Sequence, residues 1–186
     1  ADLPRILFLY LLSAISHMPI ANVRYLWTFL ALTIGPVSTF FLLHHIFLKP
    51  KFDPQTKRAA SFLGALFYLL NLATVQYFFT SFETFIAFFA FFPLIILATT
   101  LYFERASLKH YLFLLVVLLV SSPPFLIQTF FVVTSLCLAP IILSYLRHGW
   151  KKIFIYSLTL FATQSYWLLP QIFFAFTNAK EVGLSH

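Results

Sequence analysis

Charge is what this chain has least of. Only 9% of its 186 residues are Asp, Glu, Lys or Arg, against roughly a quarter in an ordinary soluble domain. That shortage excludes a solvated globular surface and points to an integral membrane protein. A single cysteine, Cys137, sits inside an apolar run, so no disulfide framework exists within this sequence. The patterns GxxxxGKS/T, GxGxxG, HExxH and GxSxG are all missing, which leaves nucleotide hydrolysis, dinucleotide redox chemistry and the common hydrolases without sequence support. Internal repeats, low-complexity tracts and a soluble domain are missing too. Nor does any stretch alternate as a membrane barrel strand must, so helices have to satisfy the backbone in lipid.

What is present is apolar and aromatic, at 61% and 20% of the chain. Several runs reach the roughly 20 residues that cross a hydrocarbon layer of about 30 Å. The expected fold is all-α, a polytopic helix bundle of six to seven membrane helices with short or broken helices on the outer side. Residues 1–186 read as a single transmembrane domain.

The formal net charge of +7 does not indicate nucleic acid, because the basic residues are not gathered on one face of a soluble scaffold. They fall instead in three connections. Lys49, Lys51, Lys57 and Arg58 share the first, Arg105 and Lys109 the second, and Arg147, Lys151 and Lys152 the third, opposed by Asp53 and Glu104 alone. The positive-inside rule makes loops 49–58, 103–110 and 147–152 cytoplasmic. The alternate connections hold Asp2, Arg5, Arg24, Glu83, Lys180 and Glu181, which balance and lie outside.

In chain order, Asp2-Leu3-Pro4 reads as a helix start, and the helix to Ser16 is too short to cross comfortably. A turn over His17 to Val23 precedes a long helix from Arg24, in which Gly35 and Pro36 predict a kink or a close helix contact. A third helix is expected from about Arg58. It carries small residues, Ala59, Ala60, Gly64 and Ala65, that allow close approach, and a break at Asn71 is preferred to continuation. Further helices are expected over about Thr84 to Tyr102, Leu108 to Val120, Phe125 to Leu146 and Ile153 to Phe176. Trp27, Trp150 and Trp167 fall near the predicted interfaces. The opening ADLPRILFLY has neither an initiator Met nor a signal peptide, so the chain is expected to be a fragment.

Polar side chains gather in one place, Asn71 to Thr84, between two strongly apolar segments. Such a cluster in a lipid-like sequence is the first candidate for a working surface, although a solvated turn has the same composition. Glu83 can act as a general base, bind a metal that steadies a leaving phosphate, or favour a helix N-terminus. Arg24 can grip a lipid-linked phosphate or snorkel to headgroups. The six histidines divide between both sides and present no converging metal site.

The succession HMPIANVRYLW, RAASFLGALFYLLN, FIAFFAFFPLIIL, an outer SSPP and QSYWLLPQIF resembles the multi-pass core of GT-C superfamily membrane glycosyltransferases. The likeness is to the arabinofuranosyltransferase family D type and related YfhO-like membrane proteins, and spans nearly the whole chain through hydrophobic motifs. Arg24, Leu26 and Trp27 look like the family's Arg before Leu-Trp. Tyr68 to Asn71 looks like its Tyr-x-x-Asn-Pro helix end, with Leu72 in place of Pro.

The resemblance implies transfer of a sugar from a polyprenyl-phosphate donor to an extracytoplasmic acceptor. It implies Arg24, Asn71 and Trp27 as candidate substrate-binding residues and Asp2 as a candidate catalytic acid, beside Glu83, which is a candidate from its own position as an acid in an outer loop. No metal-ligand set is expected from the residues, and the cofactor is unknown. The implied partners are membrane lipid, the lipid-linked donor, and a missing part of the same chain or a partner subunit. The family's catalytic acid, in the first outer loop, would precede residue 1 or survive as Asp2, so the isolated product is expected to be inactive. A transporter or permease segment and a non-catalytic membrane subunit are the alternatives.

Overall fold

The computed structural model describes residues 3–47, 52–79, 83–105, 107–121, 125, 127–146 and 149–183, with the side chains of residues 3–5, 77, 79, 128, 175 and 178–183 set aside. Among the described residues the fold is all-helical, without a strand. Eight helices follow one another among the described residues: α1 (Leu3–Ser16), α2 (Ile20–Phe47), α3 (Pro54–Leu70), α4 (Leu72–Phe79), α5 (Glu83–Glu104), α6 (Leu108–Val120), α7 (Gln128–Ser144) and α8 (Trp150–Gly183).

Local chemistry accounts for the boundaries. His17 adopts a positive φ of 54° and ends α1. The Pro19 carbonyl then accepts the Asn22 and Val23 amides, so α2 begins earlier than the expected Arg24. The third helix also starts before the expected Arg58. Asp53 caps it, its carboxylate accepting the Gln55 and Thr56 amides at 3.1 and 3.4 Å, and Pro54 takes the first turn. Ser107 caps α6 in the same way and also contacts His110 Nδ1 at 2.6 Å.

α2 and α5 form the central pair, running parallel. Gly35 lets them meet: a Cβ there would stand 2.5 Å from Phe89 Cε1. Ala31, Ala87, Ala90 and Ala98 are buried in the same core, consistent with small residues admitting close backbones. α3 packs antiparallel on α2, where Gly64 faces Leu43. α6, α7 and α8 cover the other side of α5. Polar groups stitch them together: Lys152 Nζ donates to the Phe103 carbonyl at 2.9 Å, and Gln164 Nε2 to the Leu118 carbonyl at 3.0 Å.

α2 and α5, of 28 and 22 residues, are long and apolar enough to cross a membrane. α6, α7 and the described part of α1 are apolar but shorter. Among the described residues, two of the expected six to seven crossings therefore have both the length and the composition. Large apolar side chains remain on the outside of the bundle, among them Phe29, Phe67, Leu72, Phe173 and Phe176.

Candidate functional site

The site begins where α2 and α5 begin. Arg24 lies in the second turn of α2, and Glu83 is the first residue of α5. Because the helices are parallel, their two N-termini lie together, and each contributes partial positive charge. Arg24 adds a full one. Glu83 is the acid that answers them: Arg24 Nε donates to Glu83 Oε1 at 2.5 Å, and Nη2 reaches the same oxygen. The Arg24 side chain is 60% exposed and the Glu83 side chain 20%, so solvent screens the pair. Exposed ion pairs of this kind contribute roughly 0–1 kcal/mol.

The pair walls a cavity of about 310 Å³, completed by Ala21, Tyr25, Thr28, Phe78 and Ile86. Thr28 follows Arg24 by one turn on the same face, and its hydroxyl donates to the Arg24 carbonyl. Beneath it lies a second cavity of about 370 Å³, lined by Thr28, Phe29, Leu32, Leu69, Thr74, Val75 and Phe78. Thr28 and Phe78 belong to both. A polar chamber and an apolar groove between α2 and the α3/α4 corner therefore adjoin across two shared wall residues.

Asn71 builds that corner. The chain breaks there, with Asn71 extended at φ −70° and ψ 155°. Its amide nitrogen donates to the carbonyls of Phe67 and Tyr68 and to Thr74 Oγ1, while its oxygen accepts the Thr74 amide at 3.0 Å. One side chain thus closes the end of α3 and opens α4. Tyr68 secures the corner to α5, donating to the Phe89 carbonyl at 2.8 Å with the rings stacked 4.6 Å apart. Asn71 therefore works as a joint, and it aims α4 so that Phe78 reaches the chamber.

The sequence candidates separate accordingly. Arg24 and Glu83, reached by independent arguments, are in contact. Trp27 is buried at 4% exposure between Phe8 and Phe91 and lines neither cavity. Its indole N–H has no hydrogen-bond partner among the described residues. The stretch Asn71 to Thr84 is mostly the helix α4, and Gln76 sits on its exposed face. Asp2, Thr80, Ser81, Lys49, Lys51, Arg147, His148 and the SSPP prolines lie outside the described residues. Among the described residues no three His, Cys, Asp or Glu side chains group as a metal site would.

Sequence reasoning missed Tyr25, Thr28 and Phe78. The spacing from Arg24 to Thr28 was available as a signal. Phe78 carried none, because it is one of 26 phenylalanines.

At the far end of the central pair, His45 Nε2 lies 2.7 Å from Glu104 Oε2. This contact joins the same two helices 21 residues further along each. Compared with known protein families, with curated proteins and with solved structures, the chain matches none.

Proposed function

We propose that the chain is the multi-pass membrane core of a glycosyltransferase that moves a sugar from a polyprenyl-phosphate donor to an extracytoplasmic acceptor. The observation that carries the reading is the Arg24–Glu83 chamber lying next to an apolar groove with which it shares Thr28 and Phe78. An amphiphilic donor needs that combination: a cation for the phosphate, space for a sugar, and an apolar path for the chain.

In this reading Arg24 holds the phosphate through its planar fork. Glu83 takes the proton from the acceptor hydroxyl as that oxygen bonds to the anomeric carbon. The bond between that carbon and the phosphate oxygen breaks, and its electron pair leaves with the phosphate, whose growing charge Arg24 stabilises. Asn71 and Thr74 fix the corner that places Phe78 beside the reacting groups.

The membrane orientation belongs to the same proposal. The two contacts between α2 and α5 are 21 residues apart, about 31 Å of helix rise, which matches a hydrocarbon layer of about 30 Å. Arg24 and Glu83 then lie at the outer edge. His45, Glu104 and Lys152 lie at the cytoplasmic edge with the basic loops. The exposed apolar side chains on α2, α3 and α8 face lipid. A monomeric soluble protein rarely exposes so much apolar surface.

The test is sugar transfer in proteoliposomes by the protein expressed from its complete reading frame, supplied with polyprenyl-phosphate sugars. Transfer to an acceptor on the outer side supports the reading. Uptake of a solute without any lipid-linked donor would instead establish a transporter.

A further inference from the structure

Glu83 stands where an incoming anion has to go. The Nε and Nη2 edge of Arg24 is the edge that grips a phosphate with two parallel hydrogen bonds, and one carboxylate oxygen of Glu83 occupies it. We propose that the Arg24–Glu83 ion pair is a latch that the phosphate head of a single-chain amphiphile displaces, its chain entering the groove between α2 and α4. This rests on the glycosyltransferase reading and adds regulation to it: the carboxylate becomes available as a base once the donor has taken its place.

Three features favour a latch over a fixed structural bridge. The guanidinium is the more exposed partner at 60%, so an anion reaches it without unpacking the bundle. The pair is screened by solvent and weak, whereas a phosphate at the same edge makes two charge-assisted bonds. The core beneath does not depend on the pair, because Gly35, Phe89 and the buried alanines hold α2 against α5.

The groove adds selectivity for an amphiphile. Apart from two threonines its lining is apolar, and one of those, Thr74, turns its hydroxyl to the Tyr68 carbonyl at 2.7 Å. Phe78 lines both compartments and marks where head becomes chain. A free phosphate would meet Arg24 but leave the groove unused.

Equilibrium binding of a long-chain prenyl monophosphate and of inorganic phosphate to the full-length protein in nanodiscs tests this. Glu83→Gln keeps the size of the side chain and removes its charge. It is expected to bind the prenyl monophosphate about two- to fivefold more tightly than the wild type, the gain from removing a weak competing counter-ion. Arg24→Ala is expected to bind about tenfold or more weakly, and Arg24→Lys to fall between, having charge without the fork. In the Arg24→Ala background, Glu83→Gln should add nothing.

Unchanged or weaker binding by Glu83→Gln overturns the latch. Inorganic phosphate that binds the wild type as tightly as the prenyl ester overturns the amphiphile. Circular dichroism and gel filtration confirm that each variant is folded. Arg24→Lys keeps the proposal falsifiable if Arg24→Ala does not fold. Because only binding is read, an intact latch without sugar transfer would count against the enzyme alone. Transfer without tighter binding by Glu83→Gln would count against the latch alone.

Discussion

Arg24 and Glu83 are 59 residues apart in the chain, and both the Nε and the Nη2 of the arginine reach one oxygen of the glutamate. His45 and Glu104, also 59 residues apart, repeat the relationship at the other end of α2 and α5. The equal offsets follow from parallel helices with a fixed register. Gly35 against Phe89 sets that register, and the two acids of α5 mark its ends. The Arg24–Glu83 contact is the more exposed of the two: the Arg24 side chain is 60% exposed, whereas the His45 and Glu104 side chains are each 17% exposed.

If the Arg24–Glu83 contact is a working group rather than a brace, removing it should affect activity far more than stability. A double-mutant cycle over Arg24→Ala and Glu83→Ala, read by unfolding in detergent micelles, is expected to give a coupling energy within about 1 kcal/mol. A coupling of several kcal/mol would make the pair structural.

The register predicts its own weak point. Gly35→Leu puts atoms where Phe89 already stands and should cost about 1–3 kcal/mol through overpacking. Thermal unfolding checks this, and Phe89→Ala in the same chain should recover part of the loss. Gly64, which faces Leu43, should respond in the same way, with Leu43→Ala as its partner substitution.

Asn71 bonds to both sides of the α3/α4 break. Asn71→Ala should lower stability by about 1 kcal/mol through loss of the cap and speed amide exchange over residues 72–79, leaving α2 and α5 protected. Hydrogen–deuterium exchange resolved by peptide reads the difference. Uniform protection across α4 would contradict its dependence on this joint.

Topology is tested by labelling single cysteines with an impermeant thiol reagent in oriented vesicles, in a Cys137→Ser background. Tyr25→Cys is expected to label from the extracytoplasmic face and Lys151→Cys from the cytoplasmic face. Labelling of both from one side would remove the membrane orientation proposed above.

Helical class and most helix positions were legible because apolar run length is a direct physical signal. Ser16, Leu108 and Val120 are helix ends where they were expected, and the break at Asn71 is present. The start of α3 was misplaced at Arg58, although Asp53-Pro54 carries a full capping signature. The basic residues around it give the segment the composition of a loop. Arg24 and Glu83 were each visible as rare charges in an apolar chain. Their contact was not, because it depends on the α2/α5 register, and nothing local to either residue encodes that. Trp27 looked like an interfacial aromatic by position, but two ring neighbours, Phe8 and Phe91, draw it into the core.

The most direct test of the central claim compares sugar transfer by the wild type, Arg24→Ala and Glu83→Gln, each expressed from the complete reading frame, in proteoliposomes loaded with polyprenyl-phosphate sugars. The account predicts transfer by the wild type. It predicts a loss of about 100-fold or more for Glu83→Gln at saturating donor, the usual scale for a missing general base, despite its tighter hold on the prenyl phosphate. Arg24→Ala should lose activity mainly through donor affinity. Wild-type activity in both variants, or no transfer by the folded wild type from any polyprenyl-phosphate sugar, would contradict it.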